Sequence, residues 1–354
     1  MKRWSIMIKE WQQFLEGAGA TIEREYVVNF GNPVRENRVG TTGGILADLS
    51  HYGLLSVTGA DARKFLQAQT INDVSELDGN RAQISGYCSP NGRLIATFLL
   101  FQHEEALLLR LPRPMTEAVK KRLAMYVLNA RVELADASDK LTTIGYSAPD
   151  GDAVLESAIG EIPRETGDVV HQEGITIIRI VGPNPRFVLV GGIGPIKSLW
   201  TTLNVTAAPV GAFVWDRLNI LAGVPIVSLA TTDQFLPQML NLDRIGGVSF
   251  RKGCYPGQEV IARVQHRGQV KRRMYLAYVG TDRIPVPGDP IYTGKDKVTG
   301  TVLMAQPAPA GGTDMLIVIP TDFFETTTLH LDNNNGPVIE YRQLPYMLTD
   351  SPSG

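Results

Sequence analysis

The chain has 354 residues, 44% of them hydrophobic, enough for two or three domains with a core of ordinary size. Its 34 basic and 36 acidic residues give a formal net charge of −2, which removes any whole-molecule attraction to nucleic acid or anionic lipid and leaves only local basic sites. Two cysteines, Cys88 and Cys254, form at most one bridge and match neither a zinc ribbon nor a thioredoxin-like pair, so a reducing compartment is expected, the cytoplasm first and the mitochondrial matrix as the alternative.

The opening apolar stretch, residues 4–8, is interrupted by Lys9 and Glu10 far short of a spanning length, and no small-residue cleavage site follows. Neither secretion nor membrane insertion is expected. Trp11, Phe14 and Leu15 fall at helical spacing and Gly17-Ala18-Gly19 ends the pattern, which predicts a short amphipathic helix, read as an appendage. Leu54, Val57 and the Thr58-Gly59 turn predict a strand, and residues 62–69, with Phe65 and Leu66, a helix. Residues 94–101 and 106–111 read as buried strands and 115–128 as a helix offering Ala118, Leu123, Tyr126 and Val127 to a core. Strand, strand and long helix make a ferredoxin-like fragment. A second α+β region runs over 141–221, with strands near 175–181 and 186–190 and helices after Pro195 and Val210. Beyond Lys271 short strands at 274–279, 298–304 and 315–319 alternate with Pro and Gly clusters, the pattern of a small β-barrel or sandwich.

Three local signals fall short of function. Gly145-Tyr146-Ser147-Ala148-Pro149 lacks the closing glycine of a nucleophile elbow and reads as a loop. His103-Glu104-Glu105 lacks the second histidine of a zincin helix and joins two strands. Gly191-Gly192-Ile193-Gly194 lacks both the Lys-Ser/Thr of a P-loop and the dinucleotide spacing, and reads as a tight turn. Five scattered histidines suggest no metal site, and two thiols cannot supply the four cysteine ligands of an iron-sulfur cluster.

The segment with chemistry in it is Lys252-Gly253-Cys254-Tyr255-Pro256-Gly257-Gln258-Glu259. Neighbouring cations Arg251 and Lys252 favour a thiolate, and flanking glycines let the backbone turn and leave the sulfur approachable, which are the needs of a reactive thiol. The competing reading is a small buried apolar cysteine. Between Arg251 and Arg273 the basic residues Arg251, Lys252, Arg263, Arg267, Lys271, Arg272 and Arg273 stand against Glu259 alone, a local charge of +6. Such a patch suits carboxylates or phosphates, as on a folate tail or an RNA backbone, or is a solvated basic surface.

This segment resembles the K-G-C-Y-x-G-Q-E signature of the YgfZ family, folate-binding relatives of the glycine cleavage T-protein, an aminomethyltransferase. The likeness extends to Val57-Thr58-Gly59-Ala60-Asp61-Ala62, to Phe65-Leu66-Gln67-Ala68-Gln69-Thr70 with Asp73-Val74, to Asn91-Gly92-Arg93, to Ala222-Gly223-Val224-Pro225, and to Phe235-Leu236-Pro237-Gln238 with Asn241-Leu242. It implies an α+β fold: a T-protein-like cloverleaf of three domains around a folate channel, with ferredoxin-like α+β domains and a C-terminal β-barrel. The divisions expected are an N-terminal extension over 1–40, a folate-binding α+β region over 41–140, a second over 141–270 carrying the signature, and the barrel over 271–350. Tyr52 and Trp215 match positions where the family offers aromatic rings to folate, and Gln69, Asp73, Arg93 and Arg263 are further candidates for holding it; Cys254, Lys252 and Glu259 are the candidates for chemistry.

Departures from the T-protein bear on activity. That enzyme places aspartates after the Gly-rich strand start, where this chain has Ala96 and Thr97, and a pterin-holding glutamate where it has Leu221. The resemblance therefore implies a cytoplasmic, tetrahydrofolate-binding accessory protein that supports iron-sulfur cluster assembly or repair, including in enzymes of tRNA modification. Its partners would be folate and iron-sulfur proteins or their assembly factors, with an indirect link to tRNA and none to membranes. A folate-dependent one-carbon transferase, and an RNA-binding module using the basic patch, are the alternatives.

Overall fold

The computed structural model describes residues 7–24, 26–267, 269–294 and 297–348. Trp4, in the opening apolar stretch, lies outside them. The chain forms two compact units whose segments interleave in sequence: one is Met1–Arg63, Ser75–Gln83 and Leu99–Leu218, the other Lys64–Val74, Ile84–Phe98 and Asn219–Gly354.

The first unit is built on two sheets. In the six-stranded one the order is Val169–Gln172, Ile175–Ile180, Arg186–Gly191, Thr142–Ser147, Ile45–Asp48 and Ala208–Val210, antiparallel throughout except for the last pair. Its inner strands Arg186–Gly191, Thr142–Ser147 and Ile45–Asp48 are buried at every position, so both of their faces are covered. Helix Ile193–Leu203 packs on the central strands and against helix Gly151–Ile159, closing a core of Leu46, Ile144, Tyr146, Leu155, Phe187, Leu189, Ile196 and Trp200. In the second sheet the unit contributes Leu99 to His103, then Ala106–Pro112, Tyr52–Thr58 and Glu133–Asp136, paired antiparallel in that order. Helix Arg113–Ala124 packs against it.

Three sequence expectations change here. The N-terminal helix, Lys9–Gly17, is no appendage: Trp11 and Leu15 are buried in the core, and the indole Nε1 of Trp11 donates to Asp48 Oδ1 at 2.7 Å. The helix expected over 115–128 stops at Ala124, and Tyr126 and Leu128 face solvent, because the apolar residues of that last stretch follow no single helical face. Gly145, Tyr146 and Ser147 belong to a central strand and not to a loop, and all three residues are buried.

In the second unit the strands Arg272–Val279, Thr313–Pro320, Lys297–Pro307, Pro290–Thr293, Leu329–Leu331 and Val338–Arg342 close, in that order, into a barrel. Alternate residues such as Tyr275, Ala277, Met315, Ile317 and Ile319 fill it. Closure leaves no unpaired strand edge, which settles barrel over sandwich. The rest of this unit comprises most of the helix Ala62–Gln69, the strand that ends at Cys88, the Gly-rich turn at Gly92, a long loop region from Ala222 onward and the helix Gln258–Arg267. Among the described residues no helix is long and apolar enough to cross a membrane.

Candidate functional site

Both cysteines are free, and they differ in exposure. Cys88 is buried, and burial, assisted by Asp233, pushes its thiol well above the ordinary range. Cys254 is exposed. Of the two readings open for Cys254, the buried apolar one therefore describes Cys88 instead.

The loop carrying Cys254 is held at both ends. At its start Lys252 turns inward, 7% exposed, and its ammonium donates to the backbone oxygens of Thr70 and Asn72, each at 2.7 Å. The same ammonium lies 5.4 Å from the ring centre of Tyr255, which is also buried. Burial pulls the lysine down to about 8, opposed by Asp73. Lys252 is thus a tie between the motif and the segment 70–72, and its hydrogen bonds are directed there rather than at the sulfur. Gln258 Nε2 donates to the Lys252 carbonyl at 3.3 Å and draws the ends of the loop together.

At the other end, Gly257 has φ +81, and a Cβ there would lie 2.5 Å from Gly92 Cα and 2.7 Å from the Ser89 oxygen. Only a residue without a side chain lets the loop dock on the turn at Gly92, itself at φ +74. Gly253 differs: a Cβ there would meet nothing within 4 Å. Gly257→Ala is accordingly expected to cost roughly 2–4 kcal/mol from strain and backbone overlap, and Gly253→Ala to stay within about 0.5 kcal/mol of wild type. Urea unfolding of the two variants checks this, and equal stabilities would show that the docking contact does not matter.

The structure spreads the other candidates of this unit apart in role. Glu259, in the first turn of Gln258–Arg267, is solvent-exposed and paired with Arg263 one turn on. Arg93 is exposed and bonds the Gln234 carbonyl. Gln69 is buried with its Oε1 lacking a partner among the described residues, and Asp73 accepts from Gln67 at 2.9 Å. The expected +6 patch is not a free surface field. Lys252 is buried, Arg263 is paired, and Arg273 is buried in a two-point contact with Asp243 at 2.6 and 2.8 Å. The side chain of Arg267 lies outside the described residues.

In the first unit Tyr52 and Trp215 belong to one buried cluster. The Tyr52 hydroxyl donates to Asp216 Oδ1 at 2.7 Å, and His51 Nε2 lies 3.2 Å from the same oxygen. Arg110 sits over the Tyr52 ring at 4.2 Å, and Arg186 over Trp215 at 3.9 Å while bonding the Trp215 carbonyl at 2.9 Å. The ring of Trp215 is also packed against the backbone at Gly145, where a Cβ would come within 2.5 Å of it. Both rings therefore stack on guanidinium groups here. Burial raises Asp216, but His51, Tyr52 and Arg110 outweigh it and hold the carboxyl below its ordinary value. Burial lowers Arg186 to about 9, a value that leaves it charged at neutral pH. Two guanidiniums thus face one carboxylate. Arg110 Nε and Nη1, Arg186 Nε and Nη1 and Trp215 Nε1 have no partner among the described residues.

Asp216, His51, Arg110 and Arg186 were absent from the sequence candidates. The signal that could have found the arginines is a charge inside an apolar strand, Arg110 within residues 106–111 and Arg186 at the head of 186–190. The T-protein departures also acquire surroundings: Ala96 is buried, and the Thr97 hydroxyl donates to the Pro225 carbonyl at 3.1 Å and accepts from Val227 N–H at 3.0 Å. That hydroxyl is committed to structure.

Comparison with known proteins now bears on these features. A family profile described as the GCVT N-terminal domain matches residues 16–188. A curated relative from Shigella boydii, "tRNA-modifying protein YgfZ", is 30% identical over 308 residues, 86% of this chain and 94% of that one. A protein of the same name from Pectobacterium carotovorum is 31% identical over 86% of this chain and 92% of its own length. Among solved structures, the glycine cleavage system aminomethyltransferase T from Bartonella henselae superposes with TM-score 0.80 over 98% of this chain and 99% of that one, at 17% identity. The fold is the T-protein fold.

Proposed function

The chain belongs to the YgfZ family, and from that premise we propose that it is a tetrahydrofolate-binding accessory protein that presents Cys254 in support of iron-sulfur cluster assembly or repair, including in cluster enzymes that modify tRNA. The observation carrying this reading is the free, exposed thiol on a loop whose two ends are pinned. An exposed thiol is a soft ligand and nucleophile, suited to meeting a cluster, a partner's sulfur or a one-carbon unit. One cysteine cannot retain a cluster by itself, so the role is encounter and not storage.

The one-carbon transferase alternative needs a group placed for proton transfer. Glu259 points to solvent beside Arg263, and Ala96, Thr97 and Leu221 replace the T-protein carboxylates. Those features favour the accessory role.

The Tyr52–Trp215 cluster is chemically suited to a folate. Its unpartnered donors on Arg110, Arg186 and Trp215 call for acceptor atoms, and its excess of positive charge for an anion. A pterin edge offers acceptors and a glutamate tail offers carboxylates, so these three residues would hold it. When bound, folate would supply a carrier of one-carbon units. Titration with tetrahydrofolate is expected to quench tryptophan fluorescence saturably, with the signal much reduced in Trp215→Phe. Arg110→Met is expected to weaken binding by roughly 10-fold or more through loss of a charged donor, and Cys254→Ser to bind as wild type. Absence of saturable quenching in the wild-type protein would remove folate from the reading.

A further inference from the structure

The Tyr52–Trp215 cluster holds more positive charge than its own groups neutralise. Arg110 pairs with Leu54 across the strands Ala106–Pro112 and Tyr52–Thr58, which sets it on the same face of the sheet as Tyr52, and Arg186 opens the strand Arg186–Gly191 and is fully buried. Both guanidiniums keep their charge at neutral pH. Asp216, the carboxylate of the cluster, takes its bonds from the Tyr52 hydroxyl and from His51, and neither arginine is in an ion pair among the described residues. An excess of at least one positive charge is left, and protonation of His51 would only add to it.

Two further carboxylates of this unit are buried, Asp48 and Glu36, and both are already occupied. Asp48 accepts from the Trp11 indole at 2.7 Å, from the Ser50 hydroxyl at 2.7 Å and from the Ser50 N–H at 3.1 Å. Glu36 accepts from the N–H groups of Phe30, Asn32 and Gly211 at 2.9, 3.1 and 2.9 Å.

The donors of the cluster, by contrast, are left over. Arg110 Nε and Nη1, Arg186 Nε and Nη1 and Trp215 Nε1 are sealed from solvent without an acceptor among the described residues. Arg186 is fixed over the Trp215 ring at 3.9 Å by its bond to the Trp215 carbonyl, and Arg110 lies over the Tyr52 ring at 4.2 Å, so the donors are held in place before any ligand arrives. A sealed N–H without an acceptor and a sealed cation without a counter-charge are both costly. A water molecule would cure the first defect and leave the second. A small anion cures both.

We propose that this cluster is a binding site for a small monovalent anion of the size of chloride or formate, which accepts N–H bonds from Arg110, Arg186 and the Trp215 indole and supplies the missing negative charge. Such an ion accepts from several directions and donates nothing, which suits a wall made of N–H groups. The same donors would meet a folate, so the anion competes with it; this consequence rests on the folate reading, whereas the anion site does not.

Full-length protein is unfolded thermally at one fixed ionic strength in sodium chloride, in sodium formate and in sodium gluconate, whose anion is too large to be enclosed. Chloride, formate or both at about 0.1 M should raise Tm by roughly 2–4 °C over gluconate, and the larger shift identifies the ion. Arg110→Met, the control for general salt effects, should lose the difference. Bromide soaked into crystals of the wild-type protein should lie within hydrogen-bond reach of Arg186 and Trp215 Nε1, a readout that does not depend on the variant folding. Equal Tm in the three salts, or bromide sites elsewhere and none in the cluster, would overturn the proposal. Tetrahydrofolate should bind roughly 10-fold more weakly in the stabilising salt than in gluconate. Equal affinity in the two would overturn the competition, and no binding in either would remove the folate reading while leaving the anion site standing.

Discussion

Serine in place of Cys254 is expected to leave the protein folded and, on the proposed accessory role, to reduce cluster-dependent tRNA modification to the level of cells lacking the protein. The first half follows from exposure: Cys254 contributes little packing, so stability should stay within about 0.5 kcal/mol of wild type. The second half follows from chemistry, since a hydroxyl is a poor ligand for iron and a weak nucleophile at neutral pH. The matched control is Cys88→Ala. Its thiol is buried and held protonated, so its loss should cost a small amount of packing and no function. Iodoacetamide should correspondingly label Cys254 alone in the native protein. Full rescue of cluster-enzyme activities by Cys254→Ser in a strain deleted for the family member would end the thiol reading.

Lys252→Met carries the second large effect, and it is expected first in stability. Methionine replaces the aliphatic stem but leaves the Thr70 and Asn72 carbonyls without the ammonium that now reaches both at 2.7 Å. Stranding two buried acceptors costs roughly 2–4 kcal/mol in all, some of it offset because a buried charge is also removed. Hydrogen exchange should quicken through 252–257 and 70–72 together, the mark of a tie between segments, and function should fall even though Cys254 is intact. The pH dependence has a definite sign. The folded lysine sits at about 8, below its ordinary 10.5, so between those values the unfolded chain binds the proton more strongly and wild-type stability rises with pH. A neutral amine keeps two N–H donors, enough for both carbonyls. The stability difference between wild type and Lys252→Met should therefore widen from pH 8 to 10.5 and be flat below. A difference that narrows over that window would mean that the cation, and not the hydrogen bonding, holds the loop.

The chemistry of the thiol loop was legible in part because glycine, proline and cysteine act locally. Glycine at a positive φ and a cysteine between turn residues are properties of a few consecutive positions. Even so, sequence treats Gly253 and Gly257 alike, whereas only Gly257 is pressed against another backbone, that of a turn 165 residues earlier in the chain. The same limit applies to charge. Arg251, Lys252 and Arg273 look equivalent in a basic run, but Lys252 is buried against carbonyls about 180 residues away and Arg273 against Asp243. Counting charges along a chain cannot distinguish a solvated cation from one neutralised by a distant segment.

Periodicity and turn residues by themselves determined that this chain combines α+β structure with a C-terminal β region, and its motifs placed it in its family; both are written in short-range patterns that repeat with the geometry of helix and strand. Tertiary structure alone decided that the N-terminal helix belongs to the core, that the β region closes into a barrel, that Tyr52 and Trp215 stack on buried arginines around Asp216, and that the histidines of two hairpins meet over one threonine. The reason is common to all four. Each depends on which distant group removes a side chain from water or supplies its hydrogen bond, and that partner is chosen by the fold rather than by neighbours in the chain.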